Sequence, residues 1–311
     1  VTRRRGALGA LGVTAALLLA GCGSGPSQPG AAAIVGDVAI PLELVQQRLD
    51  NYLAREPEQG QQLQQQNKLG QVAEQILSYR VRHELVAVAA QRDGVKVDEQ
   101  QLNELIAAGG GAEAMIQSQN SFLDAQAFRD EQATDQLLLT ELGRRYADRL
   151  TVTYDYTIAN GPEEAKAKAD RIAADPEHAA DVFEADRRQN VPSATDVTMT
   201  AAQDQQFLGS PIYGVRAGSV VAFQAGQDSG AWVVAHVRSR EITAGTGASG
   251  DQLNSNVLYW LGLRAVQPIA DELGVRVNPR YGVWDEVFLQ TAPSKDEKYG
   301  YLTRVREKSG A

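Results

Sequence analysis

Apolar positions recur at helical spacing over much of the first half of this chain. Leu42, Val45, Leu49, Tyr52 and Leu53 share one face of a helix opened by Pro41. Leu69, Val72, Ile76, Leu77, Val81, Leu85, Val88 and Ala89 form a continuous stripe over residues 68–92. Gly94 follows as a C-terminal stop, and Asp98 with Gln101 makes a capping-box pair for the next helix. Gly109-Gly110-Gly111 ends that helix. A short helix near 112–119 and a long one over 124–147 follow, the latter striped by Phe128, Leu137, Leu138, Leu142 and Tyr146. Gln59 to Asn67 reads as a solvated connector or helix extension.

The period changes at Leu150. Thr151 to Ala159 is rich in Thr, Tyr and Val and predicts a strand. Gly161-Pro162-Glu163-Glu164 opens an Ala-rich helix, and a second helix covers about 177–189. Residues 196–200, 218–224 and 231–242 read as strands. Helix returns over 251–273, with Leu253, Val257, Trp260, Leu261 and Ile269 on one face, and Val275 to Asn278 predicts a last strand. A further short strand stands at the start, over 32–40. The helical segments at the two ends are each too thin to bury a core alone. The expected fold is therefore mainly α with an α+β insert. A split helical domain takes residues 32–149 and is completed by 251–285. An α+β unit at 150–243 is inserted, and 293–311 reads as a charged, disordered tail.

The start of the chain follows a different rule. Arg3-Arg4-Arg5 precedes an apolar run over residues 6–20, short of the roughly 20 residues that span a bilayer. A positive start, a short apolar core and a small-residue cleavage site make an export signal. Leu19-Ala20-Gly21-Cys22 resembles the lipobox of bacterial lipoproteins. That resemblance implies cleavage after residue 21, acylation of Cys22, and residence on the outer face of the cell membrane. Gly23 to Gly30 is a helix-hostile segment, so residues 22–31 read as a flexible tether.

Composition narrows the function. The 43% hydrophobic and 22% charged content is that of a globular protein. The net charge of −9 becomes more negative once the signal arginines are removed, which argues against a nucleic-acid surface. It also leaves membrane attachment to the acyl chains rather than to basic residues. Cys22 is the single cysteine, so the fold must stand on its core without a disulfide.

Ala33-Ile34-Val35-Gly36-Asp37-Val38-Ala39-Ile40, the Asp93-to-Asp98 helix junction and Val277-Asn278-Pro279-Arg280-Tyr281-Gly282 resemble the SurA/PrsA family of extracytoplasmic chaperones. In that family the first strand and the strand after the last helix pair and tie the chain ends together. The resemblance implies a holdase for unfolded or emerging secreted polypeptides. The insert resembles a parvulin prolyl isomerase domain by layout. Parvulins carry a His in the first strand and another in the last, and those positions here hold Tyr156 and Trp232. His236 lies four positions beyond Trp232, and Asn190-Val191-Pro192-Ser193 stands where parvulins have a Gly-Gly turn. The expectation is a chaperone without catalytic residues. A divergent isomerase and an accessory lipoprotein with one dedicated partner are the alternatives.

Other motifs carry less. Gly245-Thr246-Gly247-Ala248-Ser249-Gly250 matches GxGxxG, but no acidic residue ends the next strand, so a linker is expected and no cofactor. His83, His178 and His236 are scattered, and no metal site is expected. Trp232, Trp260 and Trp284 are read as core or as the lining of a client groove.

Overall fold

The computed structural model describes residues 29–204, 206–226, 230–245 and 250–305. The signal segment, Cys22 and most of its tether lie outside these residues, as do positions 246–249 of the glycine-rich run.

The chain begins with a hairpin, β1 (Ala31–Val35) and β2 (Val38–Pro41). Gly36 turns it with φ +57°, a conformation that favours glycine. Helices α1 (Leu42–Arg55), α2 (Pro57–Gln65), α3 (Leu69–Asp93), α4 (Glu99–Ala108) and α5 (Ala112–Ser118) follow. The Gln-rich stretch is thus largely helical. The caps stand where sequence places them. Gly94 closes α3 with φ +62°, and the Asp98 side chain accepts from the backbone N–H groups of Gln100 and Gln101. One turn, α6 (Ala125–Ala127), runs into a π-helical turn at Phe128–Ala133 and then α7 (Thr134–Tyr146).

The inserted unit comprises β3 (Leu150–Asn160), α8 (Pro162–Ala174), α9 (Ala179–Arg188), β4 (Ser193–Thr200), β5 (Ser219–Gln224) and β6 (Ala231–Ile242). The chain then returns through α10 (Ser255–Leu273) and β7 (Val275–Val277). β7 pairs antiparallel with β1, placing Ala33 opposite Val277 and Val35 opposite Val275. The two ends of the helical portion are therefore stitched into one sheet ordered β2-β1-β7. No helix among the described residues is long and apolar enough to cross a membrane.

The segment beyond residue 285 departs from expectation. β9 (Gln290–Ala292) pairs with β8 (Val283–Asp285), and the tail expected to be disordered over 293–311 carries β10 (Gly300–Arg304). β10 pairs with β5 along its full length, and the large sheet is ordered β10-β5-β6-β3-β4. The α+β unit is thus not confined to residues 150–243, because the C-terminal segment supplies its fifth strand. Two physical reasons order that segment despite its charges. The first five residues of β5, Ser219 to Phe223, are buried, so β5 reads as an internal strand and needs a neighbour on each side. Asp285, fully buried, accepts from the backbone N–H groups of Val287, Phe288, Tyr299 and Gly300 at 2.7–3.1 Å. One carboxylate so folds residues 285–300 into a closed loop. Burial raises the Asp285 pKa, and the backbone donors pull against that shift.

α10 is the strut between the two cores. Leu263, Val266 and Ala270 face the helical core, while Leu261 joins the core beneath the large sheet. A helix buried on two sides has no single apolar stripe, so the predicted face fails in part. Leu258, Leu261, Leu263 and Val266 are buried, whereas Trp260 is 43% exposed. Against α7 the backbones approach very closely. A Cβ on Gly143 would lie 1.9 Å from the Leu258 carbonyl oxygen, and one on Gly262 would lie 2.0 Å from that of Leu139. These two glycines let the helices touch backbone to backbone. Arg264, 2% exposed, fixes the other side of the strut. It donates to the carbonyls of Gly209 (2.8 Å) and Val287 (2.9 Å) and to Gln267 Oε1 (3.1 Å). Burial pulls its pKa down to about 10.

Candidate functional site

Two regions can be tested for chemistry: the isomerase-like strands and the surface of the helical half. In the large sheet, β3 and β6 pair so that Tyr156 stands opposite Ala235 and Ala159 opposite Trp232. Side chains alternate along a strand, so residues three apart point to opposite faces. Tyr156 packs on the face toward α10, against Tyr154 and Phe207, with ring centroids 6.2 and 5.0 Å away. Trp232 packs on the other face, against the core formed with α8 and α9. The two positions that the layout matches to the parvulin histidines therefore share no pocket.

His236 does not complete a pair either. It stands opposite Asp155 on β3 and Val220 on β5, and Val220 belongs to the core under α8 and α9. It is 9% exposed, and its Nδ1 makes no hydrogen bond and lies 3.8 Å from Asp155 Oδ2. Burial lowers its pKa, and the Asp155 charge only partly opposes this. Tyr156, on the other face, is out of its reach. The α10-side face is further locked by a buried carboxylate. Asp204 accepts from Tyr154 Oη at 2.6 Å, Tyr213 Oη at 2.8 Å and the Phe207 N–H at 3.0 Å. Burial raises both phenol pKa values. Sequence reading missed this hub, because its members lie up to 59 residues apart and no spacing marks them.

The helical half presents an open groove. Tyr79, Arg82 and Val86 of α3 line one wall at helical spacing. Gln132 of the π-helical turn and Asp135, Gln136 and Leu139 of α7 line the opposite wall. Ser255, Asn256 and Tyr259 at the start of α10, with Gln119, complete the lining. The cavity holds about 460 Å³. A second cavity of about 310 Å³ shares Tyr79, Arg82, Gln119 and Gln132 and extends past Gln75, Phe122 and Gln290. Gln132 bridges the two, donating to Gln119 Oε1 at 2.7 Å and accepting from the Ser121 hydroxyl at 2.7 Å. A π-turn carries one residue more per hydrogen-bonded ring than an α-turn and often marks a working position in a helix.

One charged pair underlies the groove. His83 Nδ1 lies 3.0 Å from Asp135 Oδ1, and Asp135 is 5% exposed. Burial by itself would lower the His83 pKa, but the Asp135 hydrogen bond and charge outweigh it and leave the pKa raised. Burial raises the Asp135 pKa, with the His83 hydrogen bond opposing. His178, by contrast, is exposed on the surface beside Asp175. Of the tryptophans, Trp284 packs on the helical core and Trp232 on the α8–α9 core, so neither lines this groove.

No curated protein matches this chain. Residues 5–138 match the family described as SurA-like N-terminal domain. That span takes in the β1–β2 hairpin, α1 through α6 and the groove wall up to Leu138, while β7 and α10 complete the same body from the far end of the chain. The N-terminal part of the helical body, within residues 5–138, is accordingly similar to a SurA-like N-terminal domain.

Proposed function

We propose that this protein is a membrane-anchored holdase that keeps extended, partly apolar stretches of exported polypeptides in the groove between α3, α7 and α10. The observation that carries the reading is the groove's lining. Tyr79 and Tyr259, both half-buried, offer apolar surface over a floor of the core residues Val86 and Leu139, and Gln119, Gln132, Gln136 and Asn256 offer amides. An amide side chain both donates and accepts, so it pairs with the backbone of any sequence. Shallow apolar burial beside sequence-blind hydrogen bonds suits weak, broad and reversible binding. Anchoring through acylated Cys22 would keep that groove at the membrane face where exported chains emerge.

A role without prolyl isomerisation is supported by the separation of Tyr156 and Trp232 on opposite faces of the sheet and by the burial of His236. Isomerisation must lower a barrier of about 18–20 kcal/mol. No pair of imidazoles converges here for that work among the described residues.

The groove is tested by suppression of aggregation of a chemically unfolded reporter, followed by light scattering. Replacing both Gln132 and Tyr259 by Ala should raise the chaperone concentration needed for half-suppression several-fold. An unchanged requirement in a variant with native circular dichroism would place client binding elsewhere. The anchor is tested by mass spectrometry of the mature chain, where Cys22 should carry acyl groups and Cys22→Ala should abolish both processing and membrane retention. A mature protein with an unmodified Cys22 would end that part of the proposal.

A further inference from the structure

A second cavity lies where the helical half meets the large sheet. It holds about 420 Å³ and is lined by Ala89, Arg92 and Asp93 of α3, Tyr146, Arg216, Arg240 and Ile242 of β6, and the α10 segment from Ala265 to Glu272. That volume falls within the range of ordinary ligand sites. Its charged groups are paired with one exception. Arg92 and Glu272 form a two-pronged pair at 2.8 and 2.9 Å. Arg216 Nε bonds Asp271 at 2.7 Å, and Asp93 accepts from the Tyr146 hydroxyl at 3.0 Å. Arg240 is the exception. Its Nε donates to the Tyr213 carbonyl at 3.1 Å, and its two terminal nitrogens have no carboxylate partner among the described residues. Burial pulls its pKa down, so the surroundings leave this cation short of solvation. The walls nearest it on β6 and α10 are apolar, including Ile242, Ala265 and Ile269.

A guanidinium fixed at Nε and open at both Nη atoms presents a fork that matches one carboxylate. We propose that this cleft binds the free α-carboxylate at the C-terminal end of an apolar polypeptide segment, with Arg240 as the carboxylate ligand. The inference rests on the chaperone reading above and adds a second contact, so that one client is held by its body in the groove and by its end in the cleft. A chain end is favoured over an internal acidic side chain for a chemical reason. An α-carboxylate arrives at the end of a backbone whose last side chains can be wholly apolar, as the Ile242, Ala265 and Ile269 walls require. A charge-assisted hydrogen bond to a buried partner contributes about 1.5–3 kcal/mol, or roughly a tenfold preference and upward.

The test uses the full chain and two N-terminally labelled apolar heptapeptides of one sequence, one ending in a free carboxylate and the other in an amide. Fluorescence anisotropy should show the free acid binding about tenfold tighter than the amide. Arg240→Gln should erase that difference, and Arg240→Lys should keep part of it. Ile242→Glu is a second variant on an exposed position two residues along β6, where it supplies Arg240 with a carboxylate of its own. It should erase the difference as well. Equal affinity of acid and amide for the unaltered protein overturns the proposal. So does decanoate binding at Arg240 without any preference for the acid peptide, which would make the cleft a site for small amphiphilic acids. Loss of amide binding in the groove variants, with the acid preference intact, would count against the groove and not against the cleft.

Discussion

The helical half and the large sheet solve the same problem of burial by different means. The helical core is built from stripes. Val72, Ile76, Leu77, Val81, Leu85 and Ala89 of α3 all face inward, and each stripe is legible from its own segment. Its polar groups sit at the rim or in a pair such as His83–Asp135. The sheet half buries single charged groups as hubs instead: Asp204 under two tyrosines, Asp285 under four backbone N–H groups, and Arg264 over two carbonyls. Each hub gathers groups distant in sequence, because loops and a returning C-terminus must be held where no regular hydrogen-bond ladder reaches. Stripes tolerate volume-conserving change, while a hub depends on one side chain.

The strongest way to break this contrast is at the strut that both halves share. Gly262→Ala places a methyl group against the Leu139 carbonyl, and backbone cannot rotate away as a side chain can. We expect a loss on the order of 3 kcal/mol in urea denaturation of the full chain, with both halves losing cooperativity together. Two separate transitions with the sheet half unaffected would show that α10 belongs to the helical core alone.

Asp285→Ala sharpens the hub side of the comparison. It leaves four N–H groups without their acceptor, those of Val287 and Gly300 buried, and we expect roughly 2–4 kcal/mol of destabilisation. Because the carboxylate closes residues 285–300, limited proteolysis should cut first within that loop and free β10. Uniform destabilisation with no new cleavage there would deny the hub its local role.

The smallest expected effect lies in the helical half. The His83 pKa is raised in the folded state, so its stabilisation is full below its unfolded pKa of about 6.5 and is lost as pH rises through the folded value. Thermal midpoints should therefore decline modestly from pH 6 to pH 8, and His83→Gln should flatten that decline. An unchanged slope in the variant would assign the pH dependence to other groups.

The two halves also differ in how far sequence reading reaches. The α3 stripe, the Gly94 stop and the Asp98 cap follow from patterns a few residues long, whereas the return of the last strand to the first was implied by the family resemblance. The isomerase-like layout was legible as an order of elements, but the face on which each side chain lands depends on register. The regular pairing of β3 with β6 sets Trp232 opposite Ala159, three positions from Tyr156, and so puts the two rings on opposite faces. For the tail, one signal was present in the chain. The apolar run Val220 to Phe223 marks β5 as internal, and an internal strand implies a missing neighbour. Nothing in Gly300 to Arg304 says that it is that neighbour.

By itself, then, the amino-acid sequence determined the helices, their caps and the break at Leu150. Those features depend on local backbone preference and on the period of apolar residues, which act over a turn or two of chain. The tertiary structure alone decided that Gly143 and Gly262 are contact points, that the C-terminal segment completes the large sheet, and that Arg240 faces a cleft without a carboxylate partner among the described residues. These depend on which surfaces meet. A glycine inside a helix costs about 1 kcal/mol wherever it stands, and only the approach of a second backbone turns that cost into a fit. An arginine is charged in any sequence, and only the groups packed around it determine whether that charge is already answered.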